Sequence, residues 1–172
     1  MNSDLGPLRR LVTTHDATGK AILKSDDFLN GQVTDQGLEA APIWVTESVP
    51  SKDNNLDVDG AERPTPGEFG IISPNGTNCM FTDLAPGQTT YWHRTSSVDH
   101  NILIHGKLAL MLEDGIETLL ENPGDVVIQR GTMHAWRNPG ERWTRWVTVL
   151  VDAEPAKAAL KAGSEDDEKK EE

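Results

Sequence analysis

The chain has 172 residues, 36% of them hydrophobic, and 16 lysines and arginines against 28 acids give a net charge of −12. That length suffices for one domain with a real core, and the acidic balance argues against nucleic acid and against an anionic membrane surface as partners. No run approaches the roughly 20 apolar residues of a membrane span, the first ten residues hold no signal-peptide core, and the single cysteine, Cys79, excludes an internal disulfide and reads as a buried small apolar side chain. The expectation is a soluble, cytoplasmic protein.

In chain order, "RRLVTTHDATGKAILKS" predicts two strands about a turn at Asp16-Ala17-Thr18-Gly19. "APIWVTESVP" predicts a strand ending at Pro50, and residues 51–70 form a polar, turn-rich loop long enough to act as a lid or a dimer arm. From Cys79 the pattern is rhythmic: strands are expected in "CMFTDLAPG", "TTYWHRT", "HNILIHG", "KLALMLEDG", "IETLLENPGD", "VVIQRG", "HAWRNPG" and "WTRWVTVLVD". Leu108, Leu110 and Leu112 alternate onto one face. Short strands with a turn between most pairs signal an all-β sandwich or barrel, between which alternation alone does not choose. "EPAKAALKA" predicts a short C-terminal helix, and "KAGSEDDEKKEE" a disordered acidic tail. The organisation expected is thus N-terminal strands and loop over 1–78 packing on or extending a barrel, the barrel core over 79–152, and helix plus tail over 153–172.

Three of the five histidines lie between residues 93 and 105. Along a strand, Tyr91, His93 and Thr95 share one face, and so do His134, Trp136 and Asn138. If both strands belong to one barrel, the imidazoles of His93 and His134 converge inside it. Asp99 would then complete a set of two histidines and one carboxylate, which suits divalent iron and related ions. Trp92 has the opposite parity and should pack outside, His105 precedes a turn glycine and should be exposed, and nothing links His15 to the site.

These residues resemble the two motifs of the cupins, small barrels of the double-stranded β-helix or jelly-roll type. The first cupin motif runs glycine, five residues, His-x-His, then glutamate and glycine. Here five residues separate Gly87 from His93, Thr95 stands at the second histidine, Asp99 fills the glutamate slot, and Gly106 closes the motif. The second motif opens at Gly124-Asp125 and closes with Gly131, His134 and Asn138, with Gln129 or Arg130 in place of its usual proline. The resemblance covers residues 79 to 152. More narrowly, "WHRTSSVDH" with "VVIQRGTMHAWRNPG" resembles small single-domain cupins of fungi and bacteria, which in fungi often accompany aromatic polyketide pathways.

The resemblance implies a cupin jelly-roll barrel, a divalent ion (Fe, Mn, Zn or Ni) on His93, Asp99 and His134 with His100 as reserve ligand, and a position left open by Thr95. It implies Asp99, His134 and Arg130 as catalytic groups, Arg130 being the best placed of Arg94, Arg130 and Arg137 to meet a substrate carboxylate. It implies Tyr91, Thr95, Leu110 and Trp136 as the substrate-lining side chains. The activity expected is a lyase reaction, decarboxylation or dehydration and isomerisation, on a polyketide-like aromatic or β-keto small molecule. An iron-dependent oxidoreductase or dioxygenase and a non-catalytic ligand-binding barrel are the alternatives. Edge-strand pairing into a homodimer is also expected.

Overall fold

The computed structural model describes residues 3–34 and 37–157. Its strands are β1 (Leu8–His15), β2 (Ala21–Leu29), β3 (Gln32–Val33), β4 (Glu39–Thr46), β5 (Thr77–Leu84), β6 (Ser97–His105), β7 (Leu108–Leu112), β8 (Glu117–Leu120), β9 (Val126–Arg130), β10 (His134–Arg137) and β11 (Thr144–Asp152). All pair antiparallel. β1 and β2 form a separate hairpin, six strands form a sheet in the order β3-β4-β5-β11-β6-β9, and three form a facing sheet in the order β10-β7-β8. The result is an all-β jelly-roll barrel. The first hairpin turns at Asp16, whose Oδ1 accepts from the Thr18 and Lys20 amides and from the Thr18 hydroxyl.

On β6 and β9 the large sheet alternates because one face looks inward. On β6, Ser97, Asp99, Asn101 and Leu103 are buried, while His100 and Ile104 are exposed. On β11, Trp146, Thr148 and Leu150 point inward. One end of the interior is dry: Leu84, Leu103, Leu108, Leu110, Leu120, Trp136 and Trp146 pack as one cluster, each large side chain contributing roughly 1.5–3 kcal/mol by burial. The other end is polar and holds the cavity described below. β4 pairs along β5 from Glu39–Asp83 to Thr46–Thr77.

The loop over residues 51–70 carries three single 3-10 turns and is tied down. Asp53 accepts from the Trp44 indole and, bidentately, from Arg63. Asp59 pairs with Arg10. Gly60 lies on the Trp44 ring so closely that a Cβ there would sit 2.5 Å from it, a position only glycine tolerates. These contacts join the loop to β1 and β4. The helix and tail predicted after residue 157 fall outside the described residues.

"TTYWHRT" is the one predicted strand that does not form. Only single bridges, Thr89 to Arg137 and His93 to His134, join this stretch to β10. Four residue steps on one side span three on the other, so the segment carries one extra residue, as in a β-bulge. The Trp136 amide accordingly donates to the Thr90 hydroxyl, 2.9 Å away, instead of to a backbone carbonyl.

Candidate functional site

The bulge brings the two distant histidines together. His93 and His134 exchange both backbone hydrogen bonds, each 2.9 Å, which sets their side chains side by side with ring centroids 4.3 Å apart. Each ring has its Nδ1 against a backbone carbonyl, Tyr91 at 3.0 Å for His93 and Thr132 at 2.9 Å for His134. A carbonyl only accepts, so each Nδ1–H donates and each Nε2 is left as the reactive nitrogen. Edge contacts hold the pair: Phe69 against His93 at 5.7 Å and Trp136 against His134 at 5.8 Å.

Both rings line a cavity of about 190 Å³ between the two sheets, and Thr95, Asp99 and Trp136 line it with them. Burial drives the His134 imidazole down from its ordinary 6.5 to about 4, against the pull of its bond to Thr132. Burial also pushes the Asp99 carboxyl up, opposed by its bond from Ser97 and by His93 and His100. The proton affinities of an acid and a base that normally differ by more than two units therefore approach one another. Asp99 accepts from the Ser97 hydroxyl at 2.6 Å, and Ser97 bonds the Thr95 hydroxyl at 2.8 Å.

Deeper on the same wall runs a second polar chain. Thr148 Oγ1 donates to Asn101 Oδ1 at 2.7 Å, and Asn101 Nδ2 donates to Gln129 Oε1 at 3.0 Å. Gln129 Nε2 is buried without a partner among the described residues, a state that costs about 1–3 kcal/mol.

Four of the sequence-based assignments need correction. Tyr91 is 66% exposed and away from the cavity, because the extra residue of the bulge turns both Tyr91 and Trp92 outward. Leu110 belongs to the dry core cluster and does not line the cavity. Arg130 is exposed on β9, since inward parity there falls on Val127 and Gln129. His100 faces outward beside the inward Asp99, which removes it as a reserve ligand. Asn101, Gln129 and Thr148 were not anticipated, although polar residues at the inward parity of otherwise apolar strands were the available signal.

The divalent ion implied by the sequence resemblance also fails a test of the donor set. The two Nε2 atoms have the orientation that metal-bound imidazoles take, with Nδ1–H held by a carbonyl. The third donor is not grouped with them: Thr95 stands where a ligand histidine would and its hydroxyl bonds Ser97, while Asp99, which accepts from Ser97 through Oδ1, forms no cluster with the two imidazoles. Among the described residues no three His, Cys, Asp or Glu side chains are disposed to hold a metal ion. His93, Asp99 and His134 thus share a cavity without forming a ligand triad.

No family model matches the chain. Phomopsin biosynthesis cluster protein D of Diaporthe leptostromiformis is 32% identical over 150 residues, spanning 85% of this chain and 79% of that protein. A cupin-domain-containing oxidoreductase of Neurospora crassa is 33% identical over 151 residues, spanning 85% of this chain and 74% of the relative. The chain belongs to the cupin family. Among solved structures, a putative ethanolamine utilization protein Q from Salmonella typhimurium matches 86% of this cupin and 98% of its own chain with a TM-score of 0.51. At 12% identity that is a likeness of fold. No helix among the described residues of this cupin is long and apolar enough to cross a membrane.

Proposed function

We propose that this cupin is a small-molecule enzyme of secondary metabolism that moves protons on an enolisable carbonyl compound, in a dehydration or isomerisation. The observation that carries the proposal is that a carboxyl and two imidazoles, each with Nδ1 held by a carbonyl and Nε2 left as the reactive nitrogen, line one small cavity. His134, held neutral, takes a proton from a carbon next to the carbonyl through Nε2. Asp99, with its raised proton affinity, supplies or receives the second proton. Trp136 and Phe69 give the cavity apolar walls suited to a ring. A volume of about 190 Å³ suits a single ring with a short substituent, somewhat larger than the roughly 150 Å³ that holds benzene. The relative from the phomopsin biosynthesis cluster supports the metabolic setting.

A second reading is an oxidoreductase, which the name of the Neurospora crassa relative supports. Anaerobic incubation of the protein with small aryl ketones in deuterium oxide separates the two. Proton chemistry predicts deuterium uptake next to the carbonyl without oxygen, insensitive to a chelator, and slowed about 10²-fold or more in His134→Gln. Uptake no faster than in buffer, combined with turnover only in oxygen, would replace this reading with the second.

A further inference from the structure

The polar chain ending at Gln129 is directional, and it ends in a donor. The Thr148 hydroxyl donates to Asn101, and Asn101 donates to the Gln129 carbonyl, so the amide presents its NH₂ group inward. Gln129 is only 4% exposed, lines the cavity, and has no partner for Nε2 among the described residues. A buried donor without an acceptor at the wall of a cavity marks the place where a ligand oxygen belongs. Among the described residues, no lysine or arginine lines the same cavity. An anionic ligand would lose its water there with no fixed cation to replace it, and would share the space with Asp99.

We propose that Gln129 Nε2, oriented by Asn101 and Thr148, is the donor that receives the substrate's carbonyl or phenol oxygen, and that the site selects neutral carbonyl compounds over carboxylates. This rests on the cavity being a substrate site, as argued above. It narrows the chemistry: a substrate that arrives as a carboxylate, as in decarboxylation of a β-keto acid, meets no lysine or arginine among the described residues that line this cavity. Gln129 is a binding and positioning residue in this scheme, set across from the imidazole pair so that the oxygen is fixed while the neighbouring carbon meets His134.

Equilibrium binding tests this apart from catalysis, since proton exchange returns the same ketone. Acetophenone, benzoate and ethylbenzene share a ring and differ in the group offered to Gln129. Titration of the full chain at pH 7, followed by calorimetry and by the side-chain amide signals in a nitrogen-15 spectrum, should show acetophenone binding about tenfold or more tighter than either of the others. It should also shift the Gln129 NH₂ resonances. Gln129→Glu keeps the acceptor for Asn101 and removes the donor, and Gln129→Leu removes both. Each should weaken acetophenone about tenfold while leaving ethylbenzene within twofold, and ethylbenzene binding doubles as the check that the variant is folded. Equal binding of acetophenone and ethylbenzene, or benzoate as tight as acetophenone, overturns the assignment while leaving the cavity as a ligand site. If none of the three binds, the assignment and the enzymatic reading fall together.

Discussion

His134 carries the largest penalty for a proton in the site, and the penalty has a sign that can be measured. Its folded-state value is about 4 against an ordinary 6.5. Between these two values the unfolded chain holds the extra proton, so this group's contribution to stability is fully present above 6.5 and is lost as the pH falls toward 4. The span corresponds to roughly 3 kcal/mol. Denaturant titrations at pH 7 and pH 4 should show His134→Gln losing less stability on acidification than the parent, by up to that amount. An identical pH slope in the two proteins would mean that the imidazole is charged in the fold. Asp99 works in the opposite direction, because its folded value is raised. The unfolded chain gives up that proton first, so above 3.8 the buried carboxyl lowers stability as the pH rises. Asp99→Asn, which keeps an acceptor for the Ser97 hydroxyl, should therefore be more stable than the parent at pH 7 while deuterium uptake falls. A variant that lost both stability and uptake would show Asp99 to be a structural anchor.

At the scale of elements, the site depends on an irregularity. A regular strand over residues 89–95 would place Tyr91, His93 and Thr95 on one face; the extra residue between Thr89 and His93 keeps Thr90 inward, turns Tyr91 out, and restores inward direction at His93. Most of the barrel was legible because its strands alternate about one buried face, as Ser97 to Leu103 do on β6. The meeting of His93 with His134 was legible from parity and motif spacing for the same reason. The bulge was not, because it is set by a side chain, the Thr90 hydroxyl, standing in for a backbone acceptor. Nor was the direction of Arg130, since the sequence does not say which of Gln129 and Arg130 takes the inward parity of β9, and a charged side chain looks functional wherever it falls. Thr90→Val keeps the shape and removes the acceptor, leaving the Trp136 amide buried and unpaired. It should cost about 1–3 kcal/mol and speed hydrogen exchange at the Trp136 amide relative to amides on β11. Unchanged exchange there would show that the bulge is held by its backbone alone.

Across the whole molecule, a buried ion pair between neighbouring strands also reaches the N-terminal segment. Arg145 on β11 binds Asp83 on β5 through two hydrogen bonds of 2.6 and 2.7 Å, stacks its guanidinium 4.7 Å from the Phe81 ring centroid, and donates to the Gly6 carbonyl at 2.7 Å. Asp83 is wholly buried and Arg145 nearly so. Such a pair gains little over an apolar one of equal size, because desolvation offsets most of the attraction, whereas removing one member strands the other charge. Asp83→Ala should cost about 3–5 kcal/mol, and Asp83→Leu with Arg145→Met should recover most of it. The net charge of −12 supplies the control. Salt screens the repulsion among surface acids and should raise the melting temperature of the parent and of the double variant alike, since a pair out of contact with water is hardly screened. If the parent instead loses stability in salt relative to the double variant, the Arg145–Asp83 pair is open to solvent, and the N-terminal segment held through Gly6 is not fixed to the barrel.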